Sequence, residues 1–196
     1  YNLSENIGSP HFDESNNENG TTPVNRSSAG GKRGRQINLT TNDANNRFTY
    51  AAGALGIGSN QSFTMNMWFK GSTNPGNDPA LFTFGISNGV FLGVSTDTGG
   101  LIQIWGADNT SGGCGMNNRT TFSTDVIDSS GTHKMITFVA NHTGLNLTVY
   151  VNDTFAGVIA GWDARKITAC AGTQNYIGKL LGFDTIIGEY DEPAMW

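Results

Sequence analysis

Charge is scarce in this chain. Asp, Glu, Lys and Arg make up 14% of its 196 residues, against roughly 25% in ordinary soluble domains. The net charge of −5 is too mild to point to a membrane surface or a polyanion, and no nucleic-acid partner is expected. Long apolar runs are missing too. None reaches the roughly 18 residues that would read as a membrane-spanning helix. There are 3 histidines, and His11, His133 and His142 all lie outside any Gly-rich elbow of the kind a hydrolase triad uses. The 2 cysteines, Cys114 and Cys170, have no His or carboxylate spacing around them that completes a zinc site. Phosphate loops and dinucleotide fingerprints are absent. The Gly-rich stretch at 53–60 has no βα pattern around it. No segment carries a 3.6-residue apolar period.

Gly (27), Asn (22) and Thr (22) fill the space that charge leaves. Ten Asn-x-Ser/Thr sequons begin at Asn2, Asn19, Asn25, Asn38, Asn60, Asn109, Asn118, Asn141, Asn146 and Asn152, none with Pro in the middle. The 22 Asn and the 36 Ser and Thr would give roughly four by chance. The excess predicts a secreted, extracellular chain whose surface carries N-linked sugar, in place of the missing charge. The chain opens on Tyr1 rather than Met, which leads to the expectation of a removed leader or a trimmed start. In an oxidising compartment Cys114 and Cys170 are expected to form one disulfide, worth about 4 kcal/mol for a loop of that length. Two buried free thiols are the alternative.

Residues 1–35 differ from the rest. Their apolar positions are too sparse to fold alone, so they read as an extended N-terminal arm preceding a domain at 36–196. The cluster Lys32, Arg33 and Arg35 reads as a solvated linker between arm and domain. Leu3, Ile7 and Phe12 are spaced as anchors for an added strand or a groove. Past residue 36, period-2 segments recur between Gly, Asn, Asp and Ser at 47–51, 62–70, 80–86, 90–95, 101–105, 134–140, 145–151, 176–178 and 186–196. In FTMNMWF, Phe63, Met65, Met67 and Phe69 share one face, and Thr64, Asn66 and Trp68 the other. In LNLTVYV, Leu145, Leu147, Val149 and Val151 alternate with Asn146, Thr148 and Tyr150, which puts the Asn146 sequon on the outer face. The pattern predicts an all-β protein, a two-sheet antiparallel β-sandwich.

Three stretches in order, SFTMNMWFK at 62–70, GTHKMITFVANHTGLNLTVYVNDTFAG at 131–157 and YIGKLLGFDTIIGEYDEPAMW at 176–196, resemble the laminin-G-like jelly roll of the concanavalin A-like lectin/glucanase superfamily. One departure is His133, where a Trp is common. The resemblance implies two curved antiparallel sheets in a jelly roll and implies no activity. Glucanases of that superfamily set alternating carboxylates on one strand face as nucleophile and acid. Here Glu189 and Asp191 alternate, but Pro193 and Met195 follow, and Glu192 falls on the other face. In the laminin-G-like pattern the Asp-Glu pair is structural. The chain is therefore not expected to be an enzyme.

Laminin-G-like domains often bind Ca2+ through an Asp, carbonyls and water. Asp97, Asp108 and Asp153 are candidates, each equally readable as a turn residue bonding its own backbone. No other cofactor is expected. Trp68, Trp105, Tyr150 and Trp162 are available to stack on sugar, with Trp68 and Tyr150 on the non-core face by alternation. The leading expectation is a structural or adhesive glycoprotein that self-assembles as a homo-oligomer or filament through its arm. The alternative is a lectin module that binds a carbohydrate ligand; a glycoside hydrolase-like protein comes third.

Overall fold

The computed structural model describes residues 20–21, 37–39, 48–51, 61–73, 80–84, 92–97, 99–106, 119–125, 131–162, 174–178 and 187–195. Its strands are β1 (Gly20–Thr21), β2 (Ile37–Leu39), β3 (Phe48–Ala51), β4 (Phe63–Thr73), β5 (Ala80–Phe84), β6 (Leu92–Thr96), β7 (Leu101–Gly106), β8 (Arg119–Asp125), β9 (Lys134–Asn141), β10 (Asn146–Val151), β11 (Thr154–Ala160), β12 (Gln174–Ile177) and β13 (Ile187–Met195). They form two antiparallel sheets, ordered β1-β3-β12-β5-β6-β7-β8 and β11-β10-β9-β4-β13-β2. The protein is the two-sheet β-sandwich that alternation predicts. Among the described residues there is no helix, and so none long and apolar enough to cross a membrane.

The core follows from period 2. On β4, Phe63, Met65, Met67 and Phe69 are buried; Ile136, Phe138 and Ala140 of β9 and Leu147, Val149 and Val151 of β10 join them. Among the described residues of the other sheet, Leu81, Val94, Ile102, Ile104 and Phe122 are buried and apolar. A phenylalanine packed at such a site contributes about 3–5 kcal/mol when judged by truncation to Ala. The two sheets come together where β11 passes β8. A Cβ on Gly157 would lie 2.3 Å from the Phe122 ring, so only glycine allows this approach.

Two features decide which surface stays open. On the seven-stranded sheet, Ser95 and Gln103 stand opposite each other in register, with Ser95 Oγ donating to Gln103 Oε1 over 3.3 Å. They are 0% and 3% exposed, so that sheet is covered on both faces at its centre. The six-stranded sheet alternates buried and half-exposed residues along β4, β9 and β10, the pattern of a sheet with one face open.

Strand β1 lies inside the predicted arm. Gly20 and Thr21 pair with Tyr50 and Thr49 of the same chain, so this part of the arm adds a strand to its own sheet. Leu3, Ile7 and Phe12 lie outside the described residues, as do Cys114, Cys170 and Asp108.

Candidate functional site

The open face of the six-stranded sheet is built in rows fixed by strand register. Trp68 of β4 stands opposite Met135 of β9 and Asp191 of β13. In the next row Tyr150 of β10 stands opposite Thr137, which is opposite Asn66, and its other neighbour is Phe155 of β11. The following row sets Val158, Thr148, Val139 and Thr64 side by side. Trp68 and Tyr150, the two rings assigned by alternation to the non-core side, do share this face. Both are half-exposed. Two strand spacings and two residues of rise separate them, about 12 Å.

Phe155 was not anticipated. It is 59% exposed and meets Tyr150 edge-on, with ring centroids 6.1 Å apart and an interplanar angle of 71°, a favoured geometry for aromatic pairs. Val158, 49% exposed, extends the apolar rim along β11. The hint in the sequence is the dipeptide Asn152-Asp153 after a clean strand. Their φ angles of +50° and +62° make the two-residue primed turn that carries the chain into β11.

One end of the face is charged. Glu189 Oε2 accepts from Lys70 Nζ at 3.2 Å, and His133 Nε2 lies 3.6 Å from the same oxygen. This group links β4, β13 and the entry to β9, and its carboxylate is already compensated by Lys70. Glu189 and Asp191 take adjacent alternate positions opposite Lys70 and Trp68, as the sequence predicts for this strand.

The other candidates separate cleanly. Trp162 is 2% exposed and packs edge-on against Phe63 with centroids 6.0 Å apart, so it belongs to the core. Trp105 lies on β7 of the opposite sheet. Asp97 Oδ1 accepts from the backbone N–H of Gly99 at 2.9 Å and of Leu101 at 2.8 Å, which is the turn-residue role. Asp153 is the second residue of the primed turn. Among the described residues no group of three or more His, Cys, Asp or Glu is placed to hold a metal ion.

Four sequon asparagines fall on described residues. Asn38 is in β2, opposite Glu189. Asn141 and Asn152 are exposed, and Asn146 is half-exposed on the open face. Asn152 Oδ1 accepts from Met135 N–H at 2.9 Å, while its own N–H donates to Met135 O at 2.8 Å. Asn2, Asn19, Asn25, Asn60, Asn109 and Asn118 lie outside the described residues.

No protein-family model and no curated protein sequence matches the chain. Among solved structures, the binding domain of Paraclostridial Mosquitocidal Protein 1 is similar, with a TM-score of 0.69 at 17% identity over 94% of this chain and 45% of that one. A structure of botulinum neurotoxin type C, whose cell entry depends on interaction with two ganglioside molecules, gives 0.67 at 11% identity over 94% and 44%. Domain 4 of AbnA, a GH43 extracellular arabinanase from Geobacillus stearothermophilus in complex with arabinotriose, gives 0.62 at 17% identity over 99% and 86%. The chain spans less than half the length of the two toxin chains. At these identities the likeness is one of fold, and it establishes the β-sandwich.

Proposed function

We propose that this chain is a carbohydrate-binding module that takes an oligosaccharide across the open face of its six-stranded sheet. One observation carries the reading: Trp68 and Tyr150 stand half-exposed on the same face, about 12 Å apart, with Thr137 and Asn66 in the row between β10 and β4. Aromatic rings offer an apolar surface with a polar edge, suited to the C–H faces of pyranoses, while Thr and Asn supply hydroxyl and amide partners. A separation of that size fits two or three sugar residues rather than one. The β-sandwich neighbours that bind gangliosides or arabinotriose support the same reading, and they favour it over a fibre-forming subunit. An extracellular setting belongs to the proposal and rests on the density of sequons.

A glycan array probed with the intact protein tests it. Signal for at least one oligosaccharide class is expected, lost on Trp68→Ala. A flat array would remove the proposal.

A further inference from the structure

Asn141 and Asn146 stand directly opposite each other across the β9–β10 hairpin, where facing Cβ atoms are about 4.5–5.5 Å apart. The turn between them brings both amides to Gly144. Asn141 Oδ1 accepts from Gly144 N–H at 2.9 Å. Asn146 Nδ2 reaches the Gly144 carbonyl at 3.4 Å. A Cβ placed on Gly144 would lie 2.7 Å from Asn141 Nδ2 and 2.8 Å from Asn146 Nδ2. Both nitrogens therefore crowd one point, and their separation cannot exceed the sum of those two short distances.

Each of these nitrogens is the atom to which an N-linked sugar would be joined. The first pyranose of such a glycan, with its N-acetyl group, is comparable in width to the largest separation those two distances permit. Two such rings starting from neighbouring atoms over Gly144 would claim the same volume. Backbone pairing fixes where the two side chains start, Asn141 facing Asn146 and Asn146 flanked on its other side by Ala160 of β11.

We infer that the two sequons of the β9–β10 hairpin are mutually exclusive in the folded protein, so that this hairpin carries one N-glycan and not two. Sugar is added before the chain folds, so doubly modified chains must fold with both rings at one point. They are retained rather than secreted. The inference does not depend on carbohydrate binding by the open face.

The test uses the full chain secreted from a eukaryotic host, with Thr154→Ala removing the Asn152 sequon while leaving the Asn152 amide on Met135. Trypsin, cutting after Lys134 and Arg165, then leaves Asn141 and Asn146 on one peptide whose glycans are counted by mass. Two single-site versions, Thr143→Ala and Thr148→Ala, give the occupancy of Asn146 and of Asn141 alone, with both asparagines still present. Each single-site version is expected to carry sugar. The two-site peptide of the secreted protein is expected to carry two glycans at least tenfold less often than the product of the single occupancies, and doubly modified chains are expected to be enriched in the cell-retained fraction. A doubly glycosylated fraction equal to that product would overturn the inference. So would the absence of sugar from either single-site version, since no competition would then exist.

Discussion

The rings of Phe69 and Tyr190 lie 5.0 Å apart and tilted by 53°, on directly paired positions of β4 and β13. Both side chains are fully enclosed, at 0% and 1% exposure, yet Tyr190 Oη has no hydrogen-bond partner among the described residues. A buried unpaired hydroxyl costs about 1–3 kcal/mol, whereas the ring itself packs well. Tyr190→Phe is therefore expected to raise stability by about 1 kcal/mol at neutral pH, read from urea denaturation midpoints.

The same burial pushes the Tyr190 hydroxyl well above the usual phenol pKa. The folded state keeps this proton while the unfolded chain releases it near pH 10. Tyr190 thus contributes no pH dependence below about pH 10, and above it stability falls by up to about 1.4 kcal/mol per pH unit until the folded pKa is reached. The stability difference between Tyr190→Phe and the parent should be flat from pH 7 to 9 and widen in favour of Phe above about pH 10. A difference that stays constant to pH 11 would mean that the hydroxyl is not enclosed.

Asn152 both caps Met135 and holds a positive φ. Asn152→Ala loses the acceptor and strains the turn, for an expected cost of about 2 kcal/mol. Asn152→Gly loses only the acceptor and should fall between Ala and the parent. Equilibrium unfolding of the three proteins, made without glycosylation, checks the order.

Gly157→Ala places a methyl against Phe122 and is expected to cost about 1–3 kcal/mol. In the double variant with Phe122→Leu, part of that cost should return. A double-mutant cycle with no coupling would contradict the contact between β8 and β11.

Much of this was legible one strand at a time. The alternation in FTMNMWF assigned Phe63, Met65, Met67 and Phe69 to the core and Trp68 to the other face, because burial on one side of a sheet imposes period 2. β11 was not legible: Phe155 and Val158 are exposed at a sheet edge, so TFAGVIA has no alternation to read. β8 offers one apolar residue, Phe122, in an otherwise polar RTTFSTD, and β1, Gly20–Thr21, offers none. Trp162 gave no sign of its burial, which depends on Phe63 about a hundred positions away. Rows across the face, such as Trp68 beside Met135 or Lys70 beside Glu189, are set by non-local pairing that no single stretch contains.

The central claim is that Trp68 and Tyr150 form one sugar-binding surface. Its most direct test is calorimetric titration of the protein with the oligosaccharide that binds most strongly on an array including arabinotriose and sialylated ganglioside headgroups. Trp68→Ala and Tyr150→Ala, both confirmed folded, are each expected to weaken Kd by about tenfold, or about 1.4 kcal/mol. Thr121→Ala, at an exposed position on β8 of the other sheet, should leave it unchanged. Unaltered affinity in both aromatic variants, or no heat of binding with any of these sugars, would contradict the account.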